Sequence, residues 1–219
     1  MPMYFWNSCL GLIMLVAMGA AALVMREDLR MYLGMLEDFP RMPLAALMIG
    51  FCLSMTVIAA PSVSLEGKYL WILREAPVDE GALLGLKTGF ELMFSAPCAA
   101  IAGACLTIAL ELSPLEGAVL LLAALLFCAA HAVFGMFIGL AFPKLDAVNE
   151  TVVVKQSLAV VLGMFVPMAA LGLCALLYWL GSMASPVLAM ALPLALLAAF
   201  TAACGLLLMK KGPGMLRAL

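Results

Sequence analysis

The sequence predicts an all-α polytopic membrane protein with six transmembrane helices and a short amphipathic helix on the cytoplasmic side. Three observations lead there. Hydrophobic residues make up 67% of the 219 residues and charged residues 11%, whereas soluble domains are roughly half apolar and a quarter charged. The apolar residues lie in runs of about 20 or more, the length that crosses ~30 Å of hydrocarbon. The charges gather in short stretches between those runs. A fold of this size in water has nowhere to hide so much apolar surface.

The first span is expected over 5–25, as an uncleaved helix, because no Lys or Arg precedes the run as a signal peptide requires. Residues 26–41 carry Glu27, Asp28, Arg30, Glu37 and Asp38 among Leu29, Tyr32, Leu33 and Leu36, a pattern suited to a short interfacial helix. The second span is expected over 42–60. A polar loop, 61–81, precedes the third span at 83–110. A tight turn containing Pro114 leads to the fourth span at 117–141. A second polar loop, 142–155, follows. Residues 156–209 carry no charge, too many for one crossing at ~1.5 Å per residue. Gly181-Ser182-Met183-Ala184-Ser185-Pro186 is the natural break, giving spans at 156–180 and 186–209. All 219 residues read as one transmembrane domain.

Six spans place both termini on one side. Lys68, Arg74, Lys87, Lys144, Lys155, Lys210, Lys211 and Arg217 fall on the side of the two long loops, and Arg26, Arg30 and Arg41 on the other. Eight against three puts the termini and both loops in the cytoplasm by the positive-inside rule. Tyr4 and Trp6 at one end and Tyr178 and Trp179 at the other suit interfacial anchors.

The longer loop is the most informative stretch. As a helix over 65–76 it aligns Leu65, Tyr69, Ile72, Leu73 and Ala76 in one apolar stripe. Ser64 can cap its start, Pro77 ends it, and Asp79 can cap the following helix. The plain reading is an interfacial anchor. The alternative is a lever that docks in a partner's groove, with Tyr69 and Trp71 as the docking rings.

Two stretches carry a family resemblance. Ser64-Leu65-Glu66-Gly67-Lys68-Tyr69-Leu70-Trp71-Ile72-Leu73-Arg74-Glu75-Ala76-Pro77-Val78 is similar to the first cytoplasmic signature, SxEGKxxWxLKxxPV, of bacterial type-2 ABC exporter permeases. Phe142-Pro143-Lys144-Leu145-Asp146-Ala147-Val148-Asn149-Glu150, followed by Val154-Lys155-Gln156-Ser157, resembles the second. Glu75 stands where the family usually has a small polar residue. The resemblance covers about 61–157 and implies the carboxy-terminal six-span half of a permease in the bacterial inner membrane. It implies a cytoplasmic ABC ATPase as partner, with ATP and Mg bound there and no cofactor in this chain. It also implies a second membrane half or a homodimer, both set in membrane lipid. Glu66, Gly67, Lys68, Tyr69, Trp71, Leu73, Arg74 and Pro77 would couple to the ATPase. Pro143, Lys144, Asp146, Asn149, Glu150, Lys155 and Gln156 would form a further cytoplasmic contact.

Other chemistry is thinly represented. The run Gly81-Ala82-Leu83-Leu84-Gly85-Leu86-Lys87-Thr88 departs from GxxxxGK[ST], and no strand precedes it, so it is no phosphate loop. The cysteines at 9, 52, 98, 105, 128, 174 and 204 all sit in apolar runs without a CxxC pair, as small hydrophobes do. Ser54, Thr56, Ser95 and Thr107 are expected to bond their own helices. The Asn149-Glu150-Thr151 sequon falls on the cytoplasmic side. No basic run suits nucleic acid, and no catalytic or metal set is visible.

Glu91 and His131 remain, ionisable groups about 10 and 15 Å inside their spans at ~1.5 Å per residue. Such residues are functional hypotheses by default. They can pair across two helices to gate a path or move a proton. Equally, Glu91 can pair with Lys87 one turn away while His131 bonds a neighbouring helix. Two further readings of the chain stay open: an ion-coupled secondary transporter and a non-transporting membrane anchor subunit.

Overall fold

The computed structural model describes residues 6–35, 40–70, 72, 78–145, 153–154 and 157–219, without the side chain of Lys68. The described residues are helical or connecting, with no strand. Helix α1 (Leu10–Val24) turns through 81° into α2 (Arg26–Gly34). Helix α3 (Arg41–Ser54) is followed by α4 (Ala59–Glu66) and a 3-10 turn at Gly67–Tyr69. Then come α5 (Glu80–Ala109), α6 (Pro114–Ala141), α7 (Leu158–Ser182) and α8 (Pro186–Ala218). Five segments are long and apolar enough to cross a membrane, with α3 and α4 counted as one, and α1 with α2 makes a sixth if a bent pair is a single span. The chain is a multi-pass membrane protein.

Local chemistry sets the helix ends. Asp79 accepts a hydrogen bond from the Ala82 N–H and starts α5. At α6, Ser113 and Glu116 exchange side-chain and backbone bonds in a capping box, with Pro114 at the first helical position, where a missing N–H costs nothing. Ser157 and Ser185 cap α7 and α8. The far end of α5 is closed by arginines, Arg30 donating to the Ala109 and Ile108 carbonyls at 3.0 and 3.2 Å and Arg41 to Leu110 at 3.4 Å. Cations there complement the exposed carbonyls. This contact gives α2 a role beyond lying at the surface.

Helix α6 is the centre of the bundle and packs against α3, α4, α5, α7 and α8. One apolar cluster joins α1, α3, α5 and α6, including the fully buried Leu15, Ile49, Leu106 and Leu120. A second joins α4, α5, α6 and α8 through Val63, Leu84, Met136 and Leu208. The helices run through Pro97, Pro167 and Pro193 without interruption.

Three expectations need correction. The second span is not one helix over 42–60, because it unwinds at 55–58 and restarts as α4. Pro61 supplies the reason: it has no N–H for the Val57 carbonyl, and its ring collides with the preceding turn. Residues 65–76 do not begin a fresh helix capped by Ser64 either. Ser64 lies inside α4, which stops at Gly67 with φ +46 and ψ −125. Tyr69 and Ile72, two members of the expected apolar stripe, are exposed, whereas Leu70 is buried. The last helix also continues past 209 to Ala218.

The Gly67 backbone disfavours any residue with a Cβ. Gly67→Ala is expected to lower stability by about 1–2 kcal/mol, measurable as a lower thermal midpoint in detergent.

Candidate functional site

The break at 55–58 exposes the start of α4, and the first N–H groups of any helix lack intrahelical partners. Glu91, reaching across from α5, meets this need. Its Oε2 accepts the Ala59 N–H at 2.7 Å. Its Oε1 lies 2.7 Å from Nδ1 of His131 on α6. Glu91 is 1% exposed and His131 4%, so the pair is sealed among helices. One proton lies between Nδ1 and Oε1, whichever atom owns it. The Phe127 ring stacks on the imidazole with centroids 6.4 Å apart and a 27° interplanar angle.

The carboxylate therefore ties three elements together at one depth. It faces the N-terminus of α4, where unpaired N–H groups carry partial positive charge. A negative group is well placed there, but a fully buried charge still needs a full counter-charge. His131 can supply one.

A layer of small polar groups lies near this knot. Ser95 is one turn from Glu91 on α5, and Cys128 is nearly one turn from His131 on α6. Thr56 lies in the break, and Ser8 contributes its backbone carbonyl to the Val57 N–H at 3.1 Å. The hydroxyls of Ser8, Thr56 and Ser95 and the Nε2 of His131 are buried and make no hydrogen bond among the described residues. Ser54 and Thr107 do bond their own helices, to Gly50 and Gly103 at 2.8 Å. Thr56 and Ser95 depart from that expectation, Thr56 lying in the break past the last residue of α3.

No family model, curated protein or solved structure matches the chain.

The other end of α4 meets the second loop. Ser64 accepts the Lys144 N–H at 3.0 Å. A Cβ built on Gly67 would sit 3.4 Å from the Leu145 carbonyl oxygen. Glu66 forms an ion pair with Lys87 of α5. Lys87 thus serves Glu66 and leaves Glu91 to His131, so of the two pairings open from the sequence the structure has Glu91 with His131 and not with Lys87. Pro143 and Lys144 follow Phe142, the C-cap of α6. Trp71, Leu73, Arg74, Pro77, Asp146, Asn149, Glu150, Lys155 and Gln156 lie outside the described residues.

Close backbone packing holds α4 in place. A Cβ on Gly139 of α6 would come within 2.3 Å of the Ala60 carbonyl oxygen, so only glycine permits this approach. Sequence reading missed three members of the site: Pro61, Ser64 as an acceptor, and the Ala59 N–H. Only Pro61 left a signal, a proline four residues after an apolar residue inside an expected span. The partners of the other two are distant in sequence and could not be read from spacing.

Proposed function

We propose that this chain is the permease subunit of an ABC-type exporter, worked by a separate cytoplasmic ATPase. The observation that carries this reading is the route made by α4. At one end α4 runs into the first loop and is tied to the second through Ser64 with Lys144, and to α5 through Glu66 with Lys87. At the other it begins on the Glu91 carboxylate between α5 and α6. Eight helical residues separate the two ends, about 12 Å at 1.5 Å per residue. A push on the segment from Gly67 to Pro77 would reach the interior of the bundle along one stiff rod.

In this reading both loops and both termini face the cytoplasm of a bacterium, and the permease sits in the inner membrane. Tyr69 and Ile72 are exposed at the loop surface, as docking residues need to be. ATP and Mg bind in the ATPase, and this chain works with a second membrane half or a second copy of itself. Transport of an apolar cargo fits the largely apolar bundle.

Co-purification with each ABC ATPase of the source genome tests the proposal. Wild type is expected to capture one ATPase and stimulate its hydrolysis. Trp71→Ala and Glu66→Ala are expected to lose about tenfold or more in binding, the effect of removing an interface anchor. Unchanged capture and stimulation in both variants would remove the basis for a coupling segment.

A further inference from the structure

A buried carboxylate is an expensive way to cap a helix. Desolvating an ion costs several kcal/mol, and a glutamine in the same place would accept the Ala59 N–H and donate to His131. The ionisable pair adds the capacity to change charge. His131 Nδ1 is held by Glu91 at 2.7 Å, which leaves Nε2 as the ring nitrogen with no hydrogen bond among the described residues.

We propose that Glu91 and His131 form a proton-binding site within the membrane, with Nε2 of His131 as the atom that takes up and gives back the proton. In the unprotonated form Nδ1–H donates to the Glu91 carboxylate, and the pair carries one net negative charge. A proton from water then bonds to the Nε2 lone pair and makes an imidazolium. The adjacent carboxylate balances it, and the pair is neutral. Loss of that proton returns the negative charge, which then faces the start of α4 alone.

The ligand is a proton because the surroundings offer nothing else. Among the described residues no cluster of three His, Cys, Asp or Glu side chains can hold a metal ion. Both carboxylate oxygens are already engaged by nitrogen atoms. The other titratable groups on the packed elements are few. Lys87 and Glu66 pair with each other. The thiols of Cys98 and Cys128 lie on α5 and α6, those of Cys9 and Cys52 beside α1 and in α3, and Cys204 of α8 packs with Phe134 and Ile138 instead. None of these is in hydrogen-bond contact with the pair. This site differs from the proposed coupling segment in kind, because it needs no ATPase to load.

The test is infrared difference spectroscopy against pH on the full chain in lipid nanodiscs, purified without a histidine tag. His131 is the only histidine, so every imidazole band belongs to it. As the pH is lowered, wild type is expected to gain imidazolium bands in one step, with a simultaneous change in a carboxylate band. Glu91→Gln is expected to lose the carboxylate change while keeping the fold, and His131→Gln to lose the ring bands. Circular dichroism and gel filtration confirm that both variants are folded. Three results would overturn the site: ring bands that never respond to pH, an identical step in Glu91→Gln, or a response to sodium ions at fixed pH in its place. The measurement omits the ATPase, so a failure here leaves the coupling proposal standing, and failed ATPase capture leaves this one.

Discussion

Glu91→Ala is expected to destabilise the chain by about 3–5 kcal/mol, the usual cost of removing one member of a buried, hydrogen-bonded pair. Two losses combine. The Ala59 N–H loses its acceptor, worth about 1 kcal/mol for a helix cap. His131 loses the partner of Nδ1 while its Nε2 already lacks one, leaving a wholly unsatisfied imidazole 4% exposed. Glu91→Gln preserves both bonds in kind and should lose much less. Reversible unfolding in mixed micelles gives the two values, and hydrogen exchange adds the location. Protection of the amides in Ala59–Glu66 should fall in the alanine variant before that of α5 or α6. Equal protection in wild type and Glu91→Ala would mean that α4 does not depend on this carboxylate.

Gly139→Ala should be nearly as damaging. The added carbon meets the Ala60 carbonyl oxygen at 2.3 Å, its carbon at 3.1 Å and Cα at 3.3 Å. All three are backbone atoms, which cannot rotate aside as a side chain would. Overpacking typically costs 1–3 kcal/mol, and a backbone clash belongs at the upper end, about 3 kcal/mol. Gly205→Ala is the matched control. It is also a glycine inside a helix, but a Cβ there meets nothing within 4 Å. Alanine should stabilise that position by about 0.5–1 kcal/mol. The opposite signs separate close packing from helix propensity. Equal behaviour of the two variants would refute the tight contact between α4 and α6.

Both effects converge on α4, the element least visible in the sequence. Hydrophobic run length is a local property, and it located the long helices, though not where α3 breaks or how far α8 continues. The Asp79 cap was similarly local, since a cap acts within one turn. The break at 55–58 was hidden because Met55, Val57 and Ile58 are as apolar as a continuous span requires. Pro61 alone marked it. The periodicity of 65–76 misled for a related reason: a stripe can be written across a stretch whose backbone turns at Gly67.

The pairing of Glu91 was undecidable from spacing. Lys87 lies one turn away on the same helix, and His131 lies forty residues on in the chain. The nearer partner was claimed by Glu66, a residue of α4, and that competition exists only once α4 has folded against α5.

The sequence by itself determined that this chain lives in lipid, roughly where it crosses, and which two ionisable residues lie at depth. Those follow from composition and run length, which need no partner. Only the tertiary structure decided that the two residues meet, that one of them starts a helix, and that this helix ends against the second loop and α5. A buried N–H or charge in an apolar surrounding must find a partner wherever the packing brings one, and no local rule states which distant side chain that will be.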